Sequence, residues 1–242
     1  MFVGHFGVGF AAKKLAPETS LGTLVLAAML ADVLFLIFLP AGLEHIRIAP
    51  GITRLNALDL YDIALSHSVL TDVLWAGLFA GAYFARRRYP AGAWAIIVAV
   101  LSHWLLDFVS HRPDMPLVPG IPRYFGLGLY NSPVGLLIVE GLIWFGGIAL
   151  YLRSTRAPSG RKSRAGTLVL WIGVALLSAL WLLSFSRAPP PSVRVFVIVD
   201  LIAFPILIGW TYWVDRLRQA DADVRNALGH TARRSPGPPS GR

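Results

Sequence analysis

The chain contains no cysteine and has few charged residues. Without cysteine it can form neither disulfide bonds nor thiolate metal sites. Charged residues make up 14% of the 242 residues, whereas a soluble domain has about 25%. This shortage excludes a chain that is exposed to water along its whole length. Apolar residues take the place of the missing charges, because 55% of the sequence is hydrophobic.

Acidic residues are scarcer than basic ones, with 13 against 22, which gives a formal net charge of +9. A basic balance is also found in nucleic-acid-binding proteins, where the basic residues form a patch on a water-exposed domain. Here they stand at the ends of long apolar runs. The pattern therefore indicates the sidedness of a membrane protein and predicts no nucleic-acid partner.

Long apolar runs cover most of the chain. They span residues 21–39, 63–84, 91–109, 134–152, 167–185 and 193–214. Each is long enough to cross ~30 Å of hydrocarbon at about 1.5 Å per residue. Residues 1–12 are apolar but too short to cross, and glycines within them favour close helix packing. The predicted fold is all-α, a polytopic integral membrane protein with about six transmembrane helices plus a short N-terminal hydrophobic helix.

The connections between the runs differ in basic content. Most of the 22 basic residues lie in residues 13–14, 86–88, 153–164 or the C-terminal segment. By the positive-inside rule we expect these on the cytoplasmic side, together with the C-terminus, and the loops 41–62 and 110–132 on the outward side. Residues 1–218 then form one transmembrane helical domain. Residues 219–242 are polar and basic, and we expect a disordered cytoplasmic tail.

Several ionisable residues interrupt the apolar runs, and each is costly to place in a membrane. They are Asp32, His67, Asp72, His103, Asp107, Glu140 and Asp200. His5 lies in the short first helix, and His111 at the outer end of the third run. Nearly all fall in the outward half of their predicted helices, which indicates one polar site open to that side. Asp72 and Asp200 belong to no partner pattern, so we expect them to serve helix packing.

The sharpest motif is Ser102-His103-x-x-x-Asp107-x-x-x-His111. Residues four apart share one face of a helix, so His, Asp and His form a line. Imidazole and carboxylate groups are ligands for zinc or another divalent metal. His67, between two serines, is the natural partner from the preceding span, and Asp32 and His5 would complete the set. The alternative for each residue is a hydrogen bond to a neighbouring helix.

At these residues the chain resembles the YdjM-type membrane-bound metal-dependent hydrolases of the bacterial inner membrane. The similarity covers about residues 1–150. It rests on His5, Asp32, Ser66-His67-Ser68 and the element from Ser102 to Asp107. The resemblance implies a metal site, hydrolytic activity and a location in the bacterial inner membrane.

The chain departs from the pattern of that family at two places. The family often has Pro-Asp-x-Asp where this chain has Ala31-Asp32-Val33-Leu34. It often has a His six residues before the serine-flanked one, where this chain has Tyr61. Two expected ligands are therefore missing, which leaves a one-metal site and a metal-free site as alternatives to a two-metal site.

The first functional hypothesis is a membrane-embedded metal-dependent hydrolase. One divalent metal, with zinc as the first choice, would be held by His67, His103 and Asp107. Asp32 and His5 would be further ligands or would support the ligands. The metal would lower the pKa of a bound water and polarise a phosphoryl or acyl oxygen.

Residues around this set would supply the remaining functions of a hydrolase. Glu140 or His111, at the same predicted depth, would be the general base. Arg112 and Arg123 in the adjoining loop would hold a phosphate or carboxylate. The depth of the site favours a lipid or lipid-linked substrate taken from the bilayer.

Two other classes of function stay open. A proton- or ion-coupled transporter also uses intramembrane Asp, Glu and His, but the sequence has no evident inverted repeat. A non-catalytic membrane assembly protein is the third hypothesis. The sequence does not determine the oligomeric state.

Overall fold

The computed structural model describes residues 1–156, 161–186 and 188–220. This part of the chain is mostly helical, as predicted. The helices are α1 (Val3–Ala12), α2 (Leu21–Ala28), α3 (Leu30–Phe38), α4 (Ala64–His67), α5 (Val69–Arg87), α6 (Pro90–Ser110), α7 (Pro133–Ser154), α8 (Arg161–Ser184) and α9 (Val193–Leu217), with a 3-10 turn at Leu129–Asn131. Of the predicted tail 219–242, all but the first two residues lies outside the described residues.

Three small antiparallel sheets accompany the helices. The strands are β1 (His45–Ile48) with β2 (Leu58–Asp62), β3 (Met115–Pro116) with β4 (Tyr124–Phe125), and β5 (Thr155–Arg156) with β6 (Gln219–Ala220). The first two sheets lie within the loops 41–62 and 110–132, which the sequence predicted to share one side. Apolar periodicity did not predict these short pairings.

Within the described residues, four helices are long and apolar enough to cross a membrane: α6, α7, α8 and α9. The pair α2 and α3 passes the same test only as a bent unit, with 60° between its halves, which gives up to five spans. The expectation of six spans is therefore not confirmed. The predicted span that is missing from these candidates corresponds to α5, which has 19 residues but contains Asp72, Arg86 and Arg87.

The short helix α1 lies inside the bundle, and its side chains at Val3, Phe6 and Phe10 have no exposed surface. Glycines allow this position, because a Cβ on Gly7 would come within 2.5 Å of the Ile143 carbonyl oxygen in α7. A Cβ on Gly9 would come within 2.7 Å of Val25 in α2. Close packing of the N-terminal helix through its glycines is thus confirmed, and the helix is a core element.

The loops gather at two ends of the bundle. At one, which we call the basic end, Lys13 donates a hydrogen bond of 2.7 Å to Asp215, and Thr19 bonds Tyr83 at 2.8 Å. At the other, the hairpin end, the sheets β1–β2 and β3–β4 adjoin the turn 129–131, where the amide of Arg54 donates to Asn131 at 3.3 Å. The ionisable residues of the spans lie towards the hairpin end.

Candidate metal centre

Side chains from three elements converge between α3, α4 and α6. Nε2 of His103 lies 3.2 Å from Oδ2 of Asp107 and 3.7 Å from Oδ1 of Asp32. Nε2 of His67 lies 3.5 Å from Oδ1 of Asp32 and 3.8 Å from Oδ2 of Asp107. His67, His103 and Asp107 are buried, and the side chain of Asp32 is 26% exposed. The structure thus brings together four of the residues that the sequence predicted as ligands.

A bend between α2 and α3 orients His103. In a continuous helix the Ala28 carbonyl would accept from the amide four residues later. At the bend this carbonyl instead lies 2.8 Å from Nδ1 of His103. A carbonyl oxygen only accepts, so Nδ1 carries the proton and Nε2 of a neutral His103 presents a lone pair. That Nε2 atom is buried, and the part of the chain that the structure describes offers it no hydrogen-bond donor.

A carboxylate outside the predicted set orients His67. The Ser66 hydroxyl donates to Glu44 at 2.7 Å, so it accepts from Nδ1 of His67, which lies 2.6 Å away. Glu44 is 1% exposed and also accepts from the Ser66 amide at 2.7 Å. The second imidazole therefore also turns a lone pair on Nε2 towards the two aspartates. Such outer hydrogen bonds are typical of histidines that bind a metal.

His5 lies on the opposite side of Asp107. Its ring stacks on His103 with centroids 3.9 Å apart, and its Nε2 is 3.1 Å from Oδ1 of Asp107. The Met1 amino group donates to the same oxygen of Asp107 and lies 3.1 Å from Nε2 of His5. A cationic group therefore already contacts Oδ1, whereas Oδ2 faces His67 and His103.

The distances suit a small divalent cation. Zinc held at 2.0–2.2 Å has tetrahedral ligand atoms about 3.3–3.6 Å apart, close to the separations of Asp32, His67 and His103. These three residues form one possible ligand group, and His5, His103 and Asp107 form another. His103 has one free nitrogen, so the two groups cannot both bind a metal through it. The donor set fits one ion better than two.

The predicted base His111 flanks this centre. Its Nε2 is 3.9 Å from Oδ1 of Asp107, and its Nδ1 is 3.2 Å from Oδ1 of Asp114. A carboxylate on the far nitrogen of an imidazole is the arrangement that orients a general base. Arg112 lies 3.3 Å from Asp114 and donates to Asp59. Arg112 is thus held by two carboxylates of the hairpin end, and Arg123 is exposed.

Glu140, the other predicted base, is buried beside the centre. Its Oε1 accepts from the Gly4 amide at 3.1 Å and its Oε2 from the Trp181 indole at 2.8 Å. Both oxygens therefore already have donors, and one of the donors belongs to α1. These bonds tie α1 to α7 and α8. The base role of Glu140 stays a prediction.

A cavity of about 280 Å³ opens beside Glu140 and Tyr130. The Tyr130 ring contacts the His111 ring, with centroids 5.2 Å apart. Desolvation by burial raises the pKa of the Tyr130 phenol well above its usual range, and the nearby Asp107 and Glu140 add to the shift. Tyr130 therefore stays a neutral hydrogen-bond donor between the cavity and His111.

Comparison with known proteins identifies no relative. No protein-family model, no curated protein and no solved structure matches the chain. The resemblance to YdjM-type hydrolases therefore stays a prediction that rests on the residues named above.

The structure also shows the surroundings of the two residues that were predicted to serve helix packing, Asp72 and Asp200. Asp72 is buried, and within the described residues neither of its carboxylate oxygens has a hydrogen-bond partner, so its expected role in helix packing stays a prediction. Asp200 lies on α9, away from the centre, and lines a cavity at the hairpin end.

Sequence reasoning missed Glu44 and Asp114, which orient His67 and His111. Each lies in a predicted loop, where no helical spacing links it to the residue it orients.

Proposed function

We propose that this protein is a membrane-embedded metal-dependent hydrolase with one divalent ion, zinc as the first choice. The observation that carries the proposal is the environment of Nε2 in His103. Nε2 is buried, has no donor among the described residues, and faces Asp107 and Asp32 at 3.2 and 3.7 Å. A lone pair on Nε2 and the two carboxylates it faces repel one another unless a metal cation lies between them or Nε2 itself carries a proton.

The ligands of that ion are Asp32, His67, His103 and Asp107. The ion supplies a Lewis acid that makes water more acidic and polarises a phosphoryl or acyl oxygen. His5 supports the set through its stacking on His103, because the Met1 amino group already contacts the adjacent oxygen of Asp107.

His111 is the general base of the proposed reaction. Its Nε2 lies 3.9 Å from Oδ1 of Asp107, at the edge of the centre, and Asp114 fixes the ring through Nδ1. A proton taken from water at Nε2 would be stabilised by the Asp114 carboxylate. Tyr130, beside the His111 ring, donates to an anionic oxygen of the substrate.

The surroundings of the centre favour a substrate from the bilayer. We place α5 as a sixth span, because its 19 residues reach about 29 Å, close to the thickness of the hydrocarbon core. The basic end and the C-terminus then lie in the cytoplasm, and the centre lies in the outer leaflet of a bacterial inner membrane. A lipid or lipid-linked molecule is the substrate that reaches this depth.

One observation favours a second candidate, an ion- or proton-coupled carrier. Broken helices beside buried carboxylates are typical of the ion sites of transporters, and the bend at Met29 lies next to Asp32. A carrier would bind its ion reversibly and would respond to a gradient. A hydrolase would turn over in detergent without one.

Metal content tests the proposal. Protein purified in detergent should contain about one equivalent of zinc or manganese by elemental mass spectrometry. The double variant His103→Ala/Asp107→Ala should lose it. His45→Ala is the matched control, because His45 is half-exposed and pairs with Asp62 in the β1–β2 hairpin.

The outcomes separate the two candidate functions. Metal that is present in the native chain and in His45→Ala but lost in the double variant supports the centre, and hydrolysis of lipid esters in detergent would then identify the enzyme. No metal in any sample after supplementation would exclude the hydrolase and leave the proton-coupled carrier and the non-catalytic assembly protein.

A further inference from the structure

A large cavity at the hairpin end lies away from the metal centre. It has a volume of about 860 Å³ and runs between the loop 50–58 and the start of α9. Its walls include the prolines at 189–191 and the side chains of Val195, Phe196 and Val199. This size is within the range of sites for organic ligands.

The groove, as we call this cavity, continues towards the metal centre. It shares Leu55, Asn56, Ser184 and Phe196 with the cavity beside Glu140. The inner cavity ends at Tyr130, whose ring contacts His111. The groove and the inner cavity therefore adjoin, and the inner cavity lies beside the edge of the metal centre.

The outer side of the groove faces the region of the bilayer. Val195 and Val199 are 42% and 54% exposed on α9, a helix apolar enough to span a membrane. Exposed valines on such a helix contact acyl chains rather than water. The occupant must therefore have apolar chains that enter sideways from the lipid.

Polar residues lie at one end of the groove. Arg54 is exposed, and its backbone amide donates to Asn131, so the loop 50–58 is joined to the turn that holds Tyr130. Among the lining residues, Arg54 and Asp200 carry charge. Asp200 is acidic and lies seven residues beyond the start of α9, so Arg54 is the basic side chain in this lining. An anionic group is therefore favoured at the rim, beside Arg54.

From this arrangement we infer that the groove binds a membrane phospholipid, with its phosphate at Arg54 and its acyl chains along Val195 and Val199. The inference deepens the proposed function, because it names the class of the substrate and its route of entry. Binding in the groove itself requires no metal.

Photolabelling tests the inference. The protein is placed in phosphatidylcholine vesicles with a phosphatidylglycerol that carries a diazirine in its acyl chain. After illumination, mass spectrometry should find the label on peptides from residues 50–58 and 188–199. Val199→Trp fills the groove, so its labelling there should fall to that of a sample kept dark. Ile202→Trp is the matched control, because Ile202 is 59% exposed on the same helix and does not line the groove.

A second pair of probes tests the phosphate. Arg54→Gln should lower labelling by the phosphatidylglycerol probe and leave labelling by a diazirine diacylglycerol unchanged. Label spread evenly over the exposed faces of α6 to α9, and unaffected by Val199→Trp, would overturn the inference, because it would show ordinary lipid contact.

The same labelling in His103→Ala/Asp107→Ala separates this inference from the hydrolase. Groove labelling that persists in a chain without metal supports lipid binding, whatever becomes of the hydrolase. If the protein binds metal and hydrolyses lipid but the groove is not labelled, the phospholipid inference is overturned and the hydrolase proposal stands.

Discussion

At the scale of single residues, the centre depends on which nitrogen of each imidazole is free. Ala28 fixes His103 through one carbonyl, and Glu44 fixes His67 through the Ser66 hydroxyl. Both free nitrogens then face Asp32 and Asp107. If either imidazole carried its proton on Nε2, it would present an N–H to the aspartates and could not bind a metal through that atom.

Glu44→Gln tests this dependence. The amide N–H₂ group would donate to the Ser66 hydroxyl in place of accepting from it. The freed hydroxyl proton could then be donated to Nδ1 of His67, which would move the imidazole proton to Nε2. Metal affinity should fall roughly 10–100-fold, the usual effect of removing such a partner, while the unfolding midpoint changes little. Chelator competition measures the affinity. Glu18→Gln, at an exposed position near the basic end, is the control, and equal affinities in the two variants would contradict the prediction.

The residues of the centre differ in how far the sequence could predict them. His103, Asp107 and His111 follow the spacing of one helix, so their common face was predictable. The contact of Glu44 with Ser66 was not predictable, because 22 residues and a β-hairpin separate the two residues in the sequence. Only the folded chain makes that pair neighbours.

At the scale of elements, the bend between α2 and α3 is the feature that periodicity could not predict. The run 21–39 is apolar apart from Thr23 and Asp32 and has neither proline nor glycine at the break, so the sequence predicted one span. The 60° bend releases the Ala28 carbonyl for His103 and places Asp32 in the first turn of α3. The positive end of that helix dipole favours the carboxylate there.

Helix α1 positions His5, and its packing provides a test with a closely matched control. A Cβ on Gly147 would lie 2.1 Å from the Gly7 carbonyl oxygen, whereas a Cβ on the adjacent Gly146 meets nothing within 4 Å. Gly147→Ala should therefore separate α1 from α7 and cost about 1–3 kcal/mol of stability. It should also reduce bound metal, because His5 stacks on His103.

Denaturation in mixed detergent micelles measures the stability of both variants, and elemental mass spectrometry measures their metal. Gly146→Ala should match the native chain in both. Equal behaviour of the two alanine variants would mean that the close approach of α1 and α7 does not hold the centre together.

At the scale of the whole molecule, the sidedness of the centre depends on α5. The β1–β2 hairpin and the basic end lie on opposite sides of the membrane only if α5 crosses it as α6 does. Tyr61 and Arg87 flank α4 and α5, and both are exposed. Because the chain has no cysteine, single cysteines at these positions can be labelled without background.

On intact cells, a maleimide that cannot cross membranes should label Tyr61→Cys, and should label Arg87→Cys only after permeabilisation. Arginines at the end of α5 favour the cytoplasm, and the β1–β2 hairpin then lies outside. Labelling of both positions from the same side would make α4 and α5 a re-entrant pair and reduce the number of spans to five. The metal centre would then lie beside a re-entrant element, and the lateral route for a phospholipid between the loop 50–58 and α9 would need a different orientation in the bilayer.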